Sequence, residues 1–83
     1  MPLRHVARPV AIHSDTMYPM FPMRDGAVNV PVLVSMDVLD KLGCELDYLA
    51  ACSKHRPLLE QLAYQKYEHQ GGGAVVITLA DIA

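Results

Sequence analysis

The sequence has 83 residues, which is enough for one domain and too short for a separate catalytic lobe. Its formal net charge is −2 and its 7 Lys and Arg residues are scattered along the chain, which excludes a basic stripe for binding phosphates. Hydrophobic residues make up 52% of so short a chain, so we expect apolar surface outside the core and, from it, a homodimer.

No segment has the apolar length that a membrane span needs, and the first eight residues lack the apolar core of a secretory signal. These two features predict a cytoplasmic protein without a membrane partner. Cys44 and Cys52 are therefore expected to be reduced thiols, with no disulfide between them.

Three strands are predicted in the first half of the chain, over residues 10–14, 17–23 and 27–34. Residues 1–9 ahead of them are expected to be loosely ordered. Asp25 and Gly26 stand between two extended apolar runs, and this dipeptide favours a hairpin turn.

Alternation within the third predicted strand defines its core face. The side chains on that face are Val28, Val30, Val32 and Val34. Pro31 cannot donate a hydrogen bond to a neighbouring strand, and Pro19 and Pro22 have the same effect in the second strand. Both strands are therefore expected to lie at a sheet edge or to carry a bulge.

The second half of the sequence predicts helices followed by a strand. Ser35 is expected to cap a short helix that ends at Gly43. A longer helical pattern covers residues 46–69, and Pro57 within it predicts a kink or a break because proline removes a backbone hydrogen bond. Three glycines follow, and the β-branched run over residues 74–79 predicts the last strand.

Together these elements predict a single α+β domain over residues 1–83, with the chain order β-β-β-α-α-β. The domain is expected to have two layers, with the helices packed on one face of a small antiparallel sheet.

A set of residues between positions 20 and 82 is typical of one family. Its members are Phe21, Asp25, Gly26, Ser35, Leu39, Arg56, Ala63, Lys66, Tyr67, Val75, Val76, Ile77 and Asp81. In this order they resemble a family of short bacterial proteins catalogued as domain of unknown function 1488. The N-terminal segment and the prolines depart from the family pattern. The resemblance implies a two-layer α+β fold with an antiparallel sheet, and it implies no reaction, cofactor or catalytic residue.

A segment rich in Met and aromatic residues surrounds two of the prolines. The residues predicted to form a contact surface there are Met17, Tyr18, Met20, Phe21 and Met23. In polyproline II geometry, which has three residues per turn, the three methionines would line one edge. Thioethers also bind Cu(I), but a cytoplasmic location argues against copper, so a contact surface is the preferred interpretation.

Lys54, Arg56 and Lys66 on the predicted second helix are candidates for a cationic face that binds an acidic partner or nucleic acid. Glu60 and Glu68 interrupt this pattern, so a solvated helix face is the preferred interpretation.

Residues capable of catalysis or metal binding are too scattered to form a recognisable site. Cys52 and His55 are three residues apart and within reach of one ion, but the sequence offers no second ligand pair. His13 and Ser14 are neighbours on an extended segment and would point to opposite faces. No catalytic, cofactor or metal site is therefore predicted.

These patterns favour a non-enzymatic interaction or accessory module that acts as a homodimer and binds a protein partner that the sequence does not identify. A weakly nucleic-acid-associated regulatory protein that uses the second helix is the alternative. A small enzyme or a metal-binding protein is the third hypothesis.

Overall fold

The computed structural model describes residues 3–43 and 47–82, and these residues form an α+β fold. The strands are β1 (Arg4–His5), β2 (Ala11–Ile12), β3 (Pro19–Asp25), β4 (Val28–Val34) and β5 (Val75–Ile77). The helices are α1 (Met36–Leu42), α2 (Tyr48–Lys54) and α3 (Arg56–Gln70), and a 3₁₀ turn over Leu79–Asp81 follows β5. The predicted fold class is confirmed. Cys44 and the predicted helix start at position 46 lie outside the described residues.

A hairpin of β3 and β4 forms the centre of the sheet. Asp25 pairs with Val28, so Gly26 and Ala27 make a two-residue loop. Gly26 has a φ of 60° and Ala27 does not have a positive φ, which is the combination that a type II′ turn requires. The hairpin predicted from the Asp-Gly dipeptide is confirmed.

Two prolines face one another across this hairpin, Pro22 on β3 and Pro31 on β4. They occupy a non-hydrogen-bonded pair, in which the backbone nitrogen and carbonyl of each residue point away from the partner strand. The missing N–H of each proline therefore costs no hydrogen bond between β3 and β4. The Pro22 nitrogen points away from β4 toward the gap between β1 and β2. Both of these strands pair with the same side of β3, β1 beyond Pro22 toward the hairpin and β2 before it in the chain. Pro31 comes just before Val32, where pairing with β5 begins.

Pro22 and Pro31 each lie where their own strand has no second neighbour, which agrees with the expectation of an edge at that point. As whole strands, β3 and β4 do not lie at the edge of the sheet, and that part of the prediction is wrong. The sheet order is β1-β3-β4-β5, with β2 also paired to β3, so both long strands have neighbours on two sides. Sequence alone could not reveal this arrangement because it depends on two prolines meeting across strands.

The last strand corrects a second prediction, that the sheet is antiparallel. β5 pairs with β4 in parallel, from Val32 opposite Val75 to Val34 opposite Ile77. The helices carry the chain back to the starting end of β4, and a connection of this length permits parallel pairing. The sheet is therefore mixed.

The core lies between the sheet and the helices. It includes Phe21 from β3 and Leu39, Leu59 and Ala63 from the helices, all fully buried. Three of the four valines predicted for the core face of β4 are buried there, but Val28 at the hairpin end is 61% exposed.

The helical pattern breaks before Pro57. α2 ends at Lys54 and α3 begins at Arg56, with His55 between them and Pro57 in the first turn of α3. The N–H groups of a first helical turn have no intrahelical acceptor. Because the helix breaks before Pro57, the missing N–H of this proline costs no hydrogen bond.

The predicted ends of the other helices agree with the structure. α1 lies between Ser35 and Gly43, although the Ser35 side chain makes no capping hydrogen bond. α3 ends at Gly71, which has a left-handed φ of 76°.

The N-terminal segment differs from the expectation of loose order over residues 1–9. Arg4 and His5 form β1 on β3, and Leu3 is only 6% exposed because it packs into the core. Burial of this one apolar side chain, together with strand pairing, orders the described part of the segment.

Candidate functional site

One face of the sheet lies opposite the helices, and we call it the open face. The buried side chains of the described helices all join the core cluster on the other face. Because side chains alternate along a strand, the register assigns the open face to three rows. These are an apolar row of Ala11, Met20, Leu33 and Val76, a proline pair of Pro22 and Pro31, and a polar row of Arg4, Arg24 and Asn29.

The apolar row crosses four strands without interruption. Ala11 pairs with Met20, Met20 with Leu33, and Leu33 with Val76. Leu33 is only 6% exposed although it lies outside the core cluster, so the exposed surface of the row comes from Ala11, Met20 and Val76. A sheet face turned to solvent usually carries polar side chains at these positions. The apolar row is therefore unpartnered apolar surface.

The polar row at the hairpin end carries positive charge. Arg4 lies opposite Arg24, and Arg24 lies opposite Asn29. The Arg24 Nε donates a hydrogen bond of 3.2 Å to the Asn29 Oδ1. Arg8 lies nearby, in the segment between β1 and β2. Within the described chain, none of these three arginines forms an ion pair with a carboxylate.

A cleft of about 450 Å³ lies between the apolar row and the polar row. Its floor consists of Met20, Pro22 and Pro31. Val6, Arg8, Arg24 and Asn29 complete its lining. The proline pair contributes no N–H donor, so the cleft combines an apolar floor with a cationic rim.

Arg56 has a different role from the arginines of the open face, since its side chain is only 13% exposed. Its Nε donates to the Glu60 Oε2 at 2.9 Å, its Nη2 donates to the Val6 carbonyl at 2.7 Å, and its Nη1 donates to the Arg8 carbonyl. Its guanidinium lies 4.9 Å from the centroid of the Phe21 ring. Arg56 thus fixes the N-terminal segment where it crosses the gap between β1 and β2.

Lys66 also bonds inside the fold. Its Nζ donates to the Asp81 Oδ2 at 2.9 Å and to the Val76 carbonyl at 2.6 Å. The Ser35 N–H bonds the Ile77 carbonyl on the β4 side, so the Val76 carbonyl points to the free edge of β5. Lys66 therefore covers that edge.

Asp81 closes the same corner of the molecule. Burial raises the pKa of its carboxyl, but hydrogen bonds from the Thr78 N–H and from the Lys66 ammonium outweigh burial and lower the pKa overall. With Arg56 and Lys66 both bonded within the fold, Lys54 alone of the three candidate residues is exposed, so the candidate cationic face does not form. The preferred interpretation of a solvated helix face also fails at Arg56, whose side chain is largely buried.

The predicted contact surface is partly wrong, because Phe21 and Met23 are buried in the core. The segment is a β-strand and not a polyproline II helix, so Met20 and Met23 point to opposite faces. Met17, which is 58% exposed, and the half-buried Tyr18 and Met20 remain candidates.

The groups considered for metal binding or nucleophilic catalysis do not converge. Cys52 is a free, fully buried thiol, and burial raises its pKa to about 11 against the opposing effect of Arg56. The described residues contain no group of three His, Cys, Asp or Glu side chains able to hold a metal ion. His13 bonds Thr16 within the turn after β2. The Tyr67 hydroxyl donates to Asp25 at 2.7 Å, and this hydrogen bond raises the pKa of Tyr67.

Sequence reasoning missed Arg8 and Arg24. Arg24 follows Met20 and Pro22 at intervals of two, a spacing that would have placed all three on one face if the predicted strand over residues 17–23 had been extended beyond Met23. No local pattern pointed to Arg8.

Comparison with known proteins gave no match to a family model, a curated protein or a solved structure. The resemblance noted from the sequence therefore stays a prediction. Within the described chain, none of the helices has the length and apolar character needed to cross a membrane.

Proposed function

We propose that this protein is a non-enzymatic interaction module that acts as a homodimer through the apolar row of its open face. The observation that supports the proposal is the row itself, an uninterrupted apolar strip across four strands with no described helix packed on it. Apolar surface of this kind on a folded chain marks an interaction site.

The edges of the sheet favour contact through the face over contact through strands. One edge consists of β1 and β2, which are only two residues long each and so offer little backbone for pairing, and at the other edge Lys66 takes the Val76 carbonyl. Unpaired edge groups are what a second sheet would need for strand-to-strand pairing. A second copy would therefore pack against the open face.

A twofold axis along the apolar row would bring the two rows together and keep the two charged ends apart. Each copy would present the same row to the other, as a symmetric dimer requires. The arginine-bearing ends of the two copies would then point away from each other, which avoids repulsion between like charges.

The alternative of nucleic-acid binding through α3 loses its support, because Arg56 and Lys66 bond within the fold. Lys54 alone does not make a basic surface.

The mass of the protein by light scattering over a dilution series tests the proposal. We expect a dimer that persists at high salt, because burial of apolar surface is not screened by ions. Val76→Glu should weaken the dimer at least about tenfold, since it buries a charge at the interface in both copies.

Leu58→Glu is the matched control, because Leu58 lies on α3 and its exposure of 43% is close to the 36% of Val76. It should leave the dimer intact, and circular dichroism should show both variants folded. A wild-type monomer at every concentration, or equal effects of the two substitutions, would contradict the proposal.

A further inference from the structure

The cleft at the cationic end of the open face has the properties of a ligand site. Its volume of about 450 Å³ falls within the range of about 300–1,000 Å³ that small-molecule sites occupy. It lies on the side of the apolar row nearer the hairpin, so its polar rim is separate from the proposed dimer contact at Val76, whereas Met20 belongs to both the apolar row and the cleft.

We propose that this cleft binds a small organic carboxylate with an apolar body. Arg8 and Arg24 supply the cationic rim, and Met20, Pro22 and Pro31 supply the apolar floor. This site goes beyond the proposed homodimer, which does not depend on the arginines.

Arg24 has one side-chain hydrogen bond, which leaves its other binding groups free. Its Nε donates to the Asn29 Oδ1 at 3.2 Å, and its two terminal nitrogens have no partner within the described chain. The terminal nitrogens of a guanidinium match the two oxygens of a carboxylate.

Arg8 is fixed through its backbone. Its N–H donates to the Val6 carbonyl at 2.8 Å, and its own carbonyl accepts a hydrogen bond from Arg56. The exposed Arg8 side chain therefore extends from a fixed point at the rim of the cleft. Two like charges that line one small cleft repel each other, and an anion between them relieves this repulsion.

The floor suits a hydrocarbon. Pro22 and Pro31 face each other and have no N–H to donate, so polar groups of a ligand would find no donor there. The unbranched Met20 side chain can adapt to ligands of different shape. The polar rim and apolar floor together select a molecule that carries one negative group at the end of an apolar body.

A polyanion fits this cleft less well than a small acid. Single-stranded nucleic acid binds through aromatic side chains on which its bases stack, and none of the residues that line the cleft is aromatic. The net charge of −2 also opposes binding of a long anion.

Titration of ¹⁵N-labelled protein with 4-phenylbutyrate, followed by NMR, tests the proposal. The neutral alcohol 4-phenylbutanol has the same hydrocarbon and should bind at least about tenfold more weakly, because it lacks the charge-assisted hydrogen bonds. Shift changes should cluster at β3, β4 and the Arg8 segment, and added salt should weaken binding of the acid.

Arg24→Gln and Arg8→Gln should each weaken binding of the acid about tenfold. Arg4→Gln is the matched control: Arg4 lies on the same face and carries the same charge, but it does not line the cleft. This variant should bind within about threefold of wild type, as expected for a screened charge outside the site.

Equal binding of acid and alcohol, or equal effects of the three arginine substitutions, would overturn the proposal. Tighter binding of the blocked tripeptide Leu-Glu-Leu than of the free acid would replace the small molecule with a segment of a protein, and would overturn it as well. Inorganic phosphate that binds as tightly as the acid would do the same, since the apolar body would then contribute nothing.

Repeating the titration with Val76→Glu separates this proposal from the homodimer. Binding of 4-phenylbutyrate by the monomeric variant supports the cleft independently of dimerisation. Failure of both the wild-type dimer and the monomeric variant to bind the acid removes the ligand site and leaves the proposed function in place.

Discussion

The two faces of one sheet differ in what determines their residues. Phe21 and Met20 are neighbours on β3, yet Phe21 is fully buried against the helices and Met20 faces outward. On the core face, apolar identity follows from burial, which stabilises the fold. On the open face, the fold does not require an apolar row or unpaired arginines. Residues that folding does not explain are the ones to examine for binding.

The arginines repeat this comparison on a smaller scale. The Arg56 guanidinium donates hydrogen bonds to a carboxylate and two carbonyls of its own chain. Arg24 donates to one neutral side chain, and its terminal nitrogens stay free. A guanidinium whose donors are used within the fold is structural. A guanidinium whose terminal nitrogens are unpaired remains available to a ligand.

The largest expected effect contrasts neighbouring residues of β3. Phe21→Ala should lower the free energy of unfolding by about 3–5 kcal/mol, because it removes a large ring from a closed core. Met20→Ala should cost less than about 1 kcal/mol, since Met20 is only half-buried in the monomer. Urea unfolding in the Val76→Glu background measures both without a contribution from dimerisation. Equal losses at the two positions would show that the faces do not differ as described.

A smaller effect separates the two kinds of arginine. Arg56→Met should lower the free energy of unfolding by about 2–3 kcal/mol, because it leaves the Glu60 carboxylate and two carbonyls without their donor. Arg56→Lys should not restore the loss, since an ammonium cannot match the planar fork. Arg24→Met is the control and should change the stability by less than about 0.5 kcal/mol. Amide exchange in residues 3–9 should rise in the Arg56 variants alone; unchanged exchange there would argue against the anchoring role.

The smallest effect concerns the free edge of the sheet and depends on pH. The folded pKa of Asp81 lies below its usual value of 3.8, so its contribution to stability is complete above that value and is lost as pH falls through the folded pKa. Asp81→Asn should therefore cost up to about 1 kcal/mol at pH 7 and progressively less below about pH 4.

Thermal unfolding of wild type and Asp81→Asn across pH 2–7 checks this expectation. In a Lys66→Met background the cost of Asp81→Asn should shrink, because one of the groups that lowers the pKa is gone. A cost that stays constant with pH would mean that Asp81 acts through packing and not through its charge.

Local patterns predicted the parts of the fold that depend on near neighbours. The hairpin at Gly26, the end of α1 at Gly43 and the helix break at Pro57 each rest on backbone geometry within a few residues. Alternation in β4 placed three valines in the core for the same reason.

Features that depend on distant partners could not be predicted in this way. Arg56 donates hydrogen bonds to carbonyls about 50 residues away in the chain, and β5 pairs with β4, although three helices separate the two strands in the sequence. The apolar row depends on the pairing of four strands, and the cleft lies where β1 and β2 leave a gap beside Pro22. The contact surface expected from spacing was partly wrong because the three-residue period of the methionines competed with the two-residue period of a strand.

Pro22 also bears on how accurately the strands assemble. A slip of β3 by one residue against β4 would turn β3 over, so the Pro22 nitrogen would point toward β4 and one ladder hydrogen bond would be lost. The same slip would bring Arg24 into the core and expel Phe21. A misaligned hairpin thus loses a hydrogen bond and burial together, so Pro22 protects the fidelity of folding.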